Sequence, residues 1–229
     1  MAITIDGTNG LTTDNGALKL DGTTLTVDET NNRVGIGTSS PVVALHIAKS
    51  DAVLRLEDTD TSNKTDIYQI GGGGVAISDG TTERMRIDSA GRVTKPYQPI
   101  ASVSLSNGSA NENDLNVDTR FDRIYVNNGN CYSEATGRFT APVAGIYRIS
   151  FSLLKASSSG TVAWRVFYNG AQTEVGAYSS SSGYNQMSGS LVYNMNANDY
   201  FTMQQSSGSF NVNDPGQDTW GCITFELIG

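Results

Sequence analysis

The 229-residue chain sets 15 Lys and Arg against 23 Asp and Glu, for a formal charge of −8, and 38% of its residues are hydrophobic. Its basic residues are scattered singly along an acidic chain, a distribution that repels phosphate backbones and argues against nucleic acid as a partner. No stretch approaches the roughly 20 apolar residues that would cross a bilayer, and MAITIDGTNG lacks the basic start and apolar run of a secretory signal, so neither membrane insertion nor export by that route is expected.

Residues 1–95 read as short strands punctuated by turns. Asn-Gly stands at Asn9 and Asn15 and Asp-Gly at Asp6, Asp21 and Asp79, dipeptides that accept positive φ in tight hairpins. Between turns run ITI, TLTV, RVGIG, VLRLE and MRI, and nowhere in the chain do apolar residues keep helical spacing for three turns. NNRVGIGTSSP (Asn31 to Pro41) and SAGRVTKPYQP (Ser89 to Pro99) echo one another, which predicts two similar β units over 1–44 and 45–95. This stretch carries Tyr68 as its one aromatic residue before the KPYQP segment. It has too little large apolar surface to offset backbone ordering at roughly 1–2 kcal/mol per residue, so it needs partner chains.

VGIGTSSP followed by Leu-His-Ile, together with ERMRIDSAGRV, resembles the shaft modules of bacteriophage tail fibres and related virion appendages. The resemblance implies a trimeric β shaft whose first segment, with Ile3, Ile5 and Leu11 as contact candidates, attaches to other virion proteins of tail or capsid. It also implies location on the virion after assembly in the host cytoplasm.

Past KPYQP the composition changes. Both tryptophans, all seven phenylalanines and nine of the ten tyrosines lie from Tyr97 onward, so 96–229 can form an independent globule. Strands are predicted near 100–105, 121–127, 131–134, 137–141, 145–154, 162–168, 171–178, 187–195, 199–205 and 219–227. Tyr147, Ile149, Phe151 and Leu153 share one face of their strand, as do Val162, Trp164 and Val166, and Ile223, Phe225 and Leu227; this is the alternation of a half-buried sandwich strand.

FDRIYVNNGNCYSEATGRFTAPVAGIYRISF (Phe121 to Phe151) resembles the signature of the complement/tumour-necrosis-factor jelly-roll superfamily, in the globular-head form of the first complement component. Phe121, Asn127, Tyr132, Phe139, Gly145, Tyr147 and Phe151 stand at the pattern's spacing, while Ile149 replaces an expected Phe. The resemblance implies a homotrimer with a ten-stranded jelly-roll head over 96–229. The expected fold class is therefore all-β, with N-terminal trimeric β shaft modules followed by a C-terminal ten-stranded jelly-roll sandwich.

Strand parity then sorts the connections of the head. If successive strands alternate in direction, the loops at 106–116, 155–161, 179–186 and 206–217 gather at the end far from the shaft, where binding residues usually sit. Their Ser, Asn and Gly content with isolated aromatics suits sugar hydroxyls and sugar faces. The candidate receptor contacts are Asn111, Asp114, Tyr184, Asn185, Phe210 and Asn213, and the expected partner is a host cell-surface glycan or protein.

No catalytic residue is assigned. Glu57, Asp58, Asp60, Asp66 and Asp79 lie in polar turn segments, although a depolymerase would need two carboxylates roughly 5–10 Å apart, one with a raised pKa. Asp58-Thr59-Asp60 lacks the further ligands of a calcium loop, and no cofactor or metal is expected. Cys131 and Cys222 are 91 positions apart and are read as two packed thiols in strands. Three readings stay open: an attachment protein, a virion decoration or capping trimer without receptor, and, with least support, a polysaccharide depolymerase.

Overall fold

Short β-branched segments set between turn residues fold as strands along the whole chain. The computed structural model describes residues 4–6, 10–12, 19–20, 24–105, 116–155, 161–180, 185–207 and 221–229, and no helix among them is long and apolar enough to cross a membrane. The chain divides into two units, residues 1–95 and 96–229.

In the first unit β1 (Thr4–Asp6) and β2 (Gly10–Thr12) form a hairpin that pairs Ile5 with Leu11. A four-stranded sheet follows, built from β3 (Lys19–Leu20), β4 (Leu25–Asp28), β5 (Arg33–Ile36) and β6 (Leu45–Ile47) in that order. β5 and β6 run parallel, so Leu45–Ile47 belongs with the first sheet rather than opening the second. The second sheet is an antiparallel meander of β7 (Val53–Asp58), β8 (Asn63–Gln69), β9 (Gly74–Ser78), β10 (Glu83–Asp88) and β11 (Val93–Thr94). The two echoing segments thus sit in sheets of different topology.

Aspartates end β4, β7 and β10, another directly follows β9, and each holds the turn there. Asp28 Oδ1 accepts the N–H of Asn31 at 3.2 Å, Asp58 Oδ1 that of Asp60 at 3.0 Å, Asp79 Oδ1 that of Thr82 at 2.8 Å, and Asp88 Oδ1 that of Arg92 at 3.0 Å. Such side-chain turns free the strands from needing long loops. Gly74 serves a close approach: it sits at φ 118°, and a Cβ there would stand 2.4 Å from the Ile87 carbonyl oxygen.

Alternation gives each sheet one apolar and one polar face. Leu54, Ile67, Ile77 and Met85 stand in one row across β7 to β10, and Val75, Ile87 and Val93 in the next across β9 to β11. The reverse face carries the ion pairs Arg55–Asp66 at 2.7 Å, Lys64–Glu57 at 3.6 Å and Arg86–Glu83 at 2.5 Å, above buried Ala76 and Ser78. In the first sheet Leu25, Val27, Val34, Ile36, Leu45 and Ile47 likewise share one face. The other face holds buried Thr26 and Gly35, covered by the 38–41 segment, where Arg33 Nη1 donates to the Pro41 carbonyl at 2.9 Å. Among the described aliphatic and aromatic side chains of this unit only Pro41 and Ala76 are buried.

The second unit is two five-stranded antiparallel sheets packed face to face. One contains β12 (Ile100–Ser104), β13 (Arg123–Asn128), β16 (Gly145–Lys155), β19 (Asn185–Met195) and β21 (Cys222–Leu227), and the other β14 (Tyr132–Ser133), β15 (Arg138–Thr140), β17 (Val162–Tyr168), β18 (Ala171–Ser179) and β20 (Tyr200–Ser207). The strand orders are 13-12-21-16-19 and 14-15-20-17-18. Consecutive strands repeatedly switch sheets, which makes this a ten-stranded jelly roll. Asn169 (φ 46°) and Gly170 (φ 79°) form the two-residue turn between β17 and β18, as Asn-Gly predicts.

Among the described residues, twenty-one buried hydrophobic side chains fill the space between the sheets, with Trp164, Tyr147, Phe121, Phe139, Phe201 and Phe225 the largest. Tyr147 stacks on Phe225 at 4.9 Å and 15°, and Phe139 touches both Tyr132 (4.6 Å) and Phe225 (5.6 Å). Ile149 lies fully buried in this cluster, so the departure from the signature keeps its core role. Both cysteines are free thiols. Cys131 is buried, and burial pushes its pKa up to about 11, whereas Cys222 is exposed on the outer face rather than packed inside.

Candidate functional site

The signature residues build the scaffold, with Phe121, Tyr132, Phe139, Tyr147 and Phe151 buried. Tyr132 places its hydroxyl against the backbone of Phe121, accepting from the N–H at 2.7 Å and donating to the carbonyl at 2.8 Å. Asn127 in turn clamps the backbone of Tyr132, its Nδ2 donating to the carbonyl at 3.0 Å and its Oδ1 accepting from the N–H at 3.0 Å. Each side chain does the work of a missing strand neighbour where β13 hands over to β14. Gly145 leaves no room for a Cβ, which would stand 2.6 Å from Leu227 Cδ1 and 2.8 Å from the Gly229 carbonyl oxygen. Tyr147 donates to the Val143 carbonyl at 2.9 Å, tying the 141–144 turn to the strand it precedes.

Antiparallel pairing throughout the two sheets fixes where the connections emerge. Leu105, Lys155, Ser180 and Ser207 leave their strands at one end of the head, and Thr161, Asn185 and Gly221 enter theirs there. The opposite end holds Pro99, the Asn169-Gly170 turn, Asn198 and Gly229. There the N–H of Leu227 donates to the Pro99 carbonyl at 3.0 Å, and Asp199 accepts from the Tyr168 hydroxyl at 2.5 Å and from Asn169 Nδ2 at 2.8 Å. That carboxylate pushes the Tyr168 pKa up to about 12, while Tyr168 and Asn169 hold Asp199 below its ordinary 3.8. This end is knitted shut by short turns.

Two concavities lie on the flanks of the head. A recess of about 400 Å³ is lined by Arg120, Asp122, Glu134 and Ala135. Its floor exists because Gly137 (φ 67°) lets the 134–137 turn pass under Thr119, whose carbonyl oxygen would stand 2.4 Å from a Cβ. The second is a groove of about 450 Å³ on the outward face of β17 and β18, lined by Thr161, Arg165, Gln172, Glu174, Gly176 and Tyr178 among others. Gly176 sits tight against β17, a Cβ there standing 2.5 Å from the Trp164 carbonyl oxygen, so the groove carries no side chain at this position. Arg165 Nη1 donates to Gln172 Oε1 at 2.7 Å, which fixes the guanidinium beside the opening. Tyr178 is 73% exposed, the most open of the large hydrophobic side chains described. A flat ring beside fixed donors and acceptors can hold a polar ligand with one apolar face.

Of the sequence candidates, Asn185 opens β19 at this loop end, exposed and paired in register with Lys155. Asn111, Asp114, Tyr184, Phe210 and Asn213 lie outside the described residues. Ile5 and Leu11 are cross-strand partners in β1 and β2, and Ile3 lies outside the described residues. Sequence reasoning passed over Tyr178 and Arg165. The signal was present: Val175 and Ala177 pack on the core, so Tyr178 between Ala177 and Ser179 must face outward.

The turn carboxylates have a different chemistry from that of a catalytic pair. Hydrogen bonds from Thr61, Arg55, Thr82 and Arg92 are the largest influences on Asp58, Asp66, Asp79 and Asp88 in turn, and they hold each carboxyl below the usual carboxylate range. A general acid at neutral pH requires the opposite shift. Among the described residues no three His, Cys, Asp or Glu side chains cluster as metal ligands.

Comparison with solved structures returns the globular domain of zebrafish complement 1qA (19% identity, 58% of this chain and 98% of that one, TM-score 0.46). It also returns Eiger TNF from S. frugiperda (13%, 58% and 93%, 0.45) and murine APRIL (13%, 57% and 99%, 0.44). The sequence profile of the C1q domain matches residues 101–220, more than half of the chain and nearly all of its jelly roll, so this protein belongs to the C1q domain family.

Proposed function

We propose that this protein is a homotrimeric attachment protein of a virion appendage such as a phage tail fibre. Its C1q-type head contacts a cell-surface glycan or protein through the loop end, and its N-terminal unit joins it to tail or capsid proteins. The observation that carries the reading is segregation: one end of the head is closed by short hydrogen-bonded turns, while Leu105, Lys155, Ser180 and Ser207 leave their strands at the other, where Tyr178 stands exposed. A binding surface needs this combination of rigid support and variable loops. The fibre context rests on the N-terminal sequence resemblance and on an N-terminal unit that leaves its apolar faces uncovered. Three copies carry 3 × (−8) = −24 formal charges, which favours uncharged sugars or protein over anionic phosphates. The reading is one of binding, with no reaction assigned.

The test uses the full-length protein. Fluorescent protein should adsorb to host cells and compete with infection, and Tyr178→Ala combined with Tyr184→Ala should reduce adsorption at least tenfold with unchanged sedimentation. Saturating protein that leaves infection untouched would point instead to a decoration trimer. Release of reducing ends from host polysaccharide would favour a depolymerase.

A further inference from the structure

The groove of about 450 Å³ on β17 and β18 is built around a local break in strand register. Arg165 pairs with Gly176 and Phe167 with Gln172, so β18 advances four residues where β17 advances two, and Thr173, Glu174 and Val175 stand opposite Val166 alone. The Thr173 hydroxyl closes the gap in the ladder. Its Oγ1 donates to the Val166 carbonyl at 2.8 Å and accepts the N–H of Val175 at 3.2 Å. A bulge held in this way re-aims the residue at its crest, here Glu174, which is exposed and lines the groove.

The other parts of the groove are fixed by independent means. Gly176 cannot carry a side chain beneath the Trp164 carbonyl oxygen, Gln172 Oε1 holds the Arg165 guanidinium at 2.7 Å, and Tyr178 offers an open ring. Among the described residues Arg165 and Glu174 form no ion pair, with each other or with a third group. A guanidinium has only donors to offer and a carboxylate only acceptors. A ligand that satisfies both must accept and donate at neighbouring atoms. It must also be uncharged, since a second carboxylate would meet Glu174 and an ammonium group would meet Arg165. Adjacent ring hydroxyls meet these demands, one accepting from Arg165 and the next donating to Glu174 in charge-assisted hydrogen bonds. The C–H face of a pyranose is the apolar partner that an open tyrosine ring can cover. The volume stands at the small end of the roughly 300–1,000 Å³ of ligand sites, enough for a short glycan end.

We infer that the β17–β18 groove is a lectin site for an uncharged pyranose, with Tyr178 stacking on the sugar face and Arg165 and Glu174 dividing two adjacent hydroxyls between them. The inference rests on the attachment reading above; it adds the ligand class, the contact residues and a place on the flank of the sandwich, apart from the loops.

The experiment is saturation-transfer NMR and calorimetry on the full chain, with the methyl glycosides of D-glucose, D-galactose and D-mannose as probes and N-acetylneuraminic acid as the anionic control. At least one neutral glycoside should bind in the millimolar range that a single ring with few contacts reaches. Tyr178→Ala, Arg165→Gln and Glu174→Gln should each weaken it about tenfold, and their melting temperatures should match the parent's because all three side chains are exposed. Absence of neutral-glycoside binding at about 50 mM, or an affinity that survives all three substitutions, would overturn the site. Binding of N-acetylneuraminic acid that strengthens in Glu174→Gln would overturn the uncharged ligand. Adsorption to host cells separates this site from the reading it rests on. Adsorption without glycoside binding removes the groove and leaves attachment standing, whereas glycoside binding without adsorption supports the groove and removes attachment.

Discussion

Replacing Tyr132 by Phe tests whether the signature acts as backbone scaffolding. The ring stays, its contact with Phe139 at 4.6 Å stays, and no cavity opens. What goes is one oxygen that serves both the N–H and the carbonyl of Phe121, at 2.7 and 2.8 Å in a buried site. A buried backbone group without a partner costs about 1–3 kcal/mol, so two orphaned groups should cost about 3 kcal/mol. For a head of this size that lowers the melting temperature by about 10 °C. Tyr147→Phe supplies the comparison, because its hydroxyl serves only the Val143 carbonyl, and it should lose about 1 kcal/mol. Thermal unfolding followed by near-ultraviolet circular dichroism measures both. Equal losses, or a larger loss for Tyr147→Phe, would refute the idea that Tyr132 stands in for a strand neighbour of Phe121.

Gly189→Val sets a Cβ against the Phe151 ring, 2.6 Å from Cζ and 2.8 Å from Cε1, and should destabilise the head by about 1–3 kcal/mol in urea unfolding; adding Phe151→Leu should restore part of the loss. Melting temperature against pH probes the closed end. Asp199 has its pKa held below 3.8 by Tyr168 and then Asn169, so its contribution is present above pH 4 and is lost as pH falls through the depressed value. Tyr168, pushed from 10.0 to about 12, contributes below pH 10 and loses that contribution as pH rises through 12. Asp199→Asn should therefore flatten the difference between wild type and variant at both extremes, and identical profiles for the two proteins would remove the pair from the account.

The sequence by itself settled strand chemistry. Period-two alternation around Tyr147, Trp164 and Phe225 assigned these rings to the core, because a strand buries every second residue whatever its partner. Asn169-Gly170 announced its turn because few other dipeptides accept positive φ twice. The spacing from Phe121 to Phe151 carried the family, since each of those residues answers a local backbone or packing need. Pairing across the chain was another matter. That Leu45–Ile47 runs parallel to Arg33–Ile36, that Cys222 faces outward, and that Tyr178 overlooks a groove floored by Gly176 all depend on register between distant strands. Local alternation leaves that register undetermined, and it is chosen by which faces find cover: the head finds its cover within one chain, whereas residues 24–95 present apolar rows that no described segment of the same chain covers.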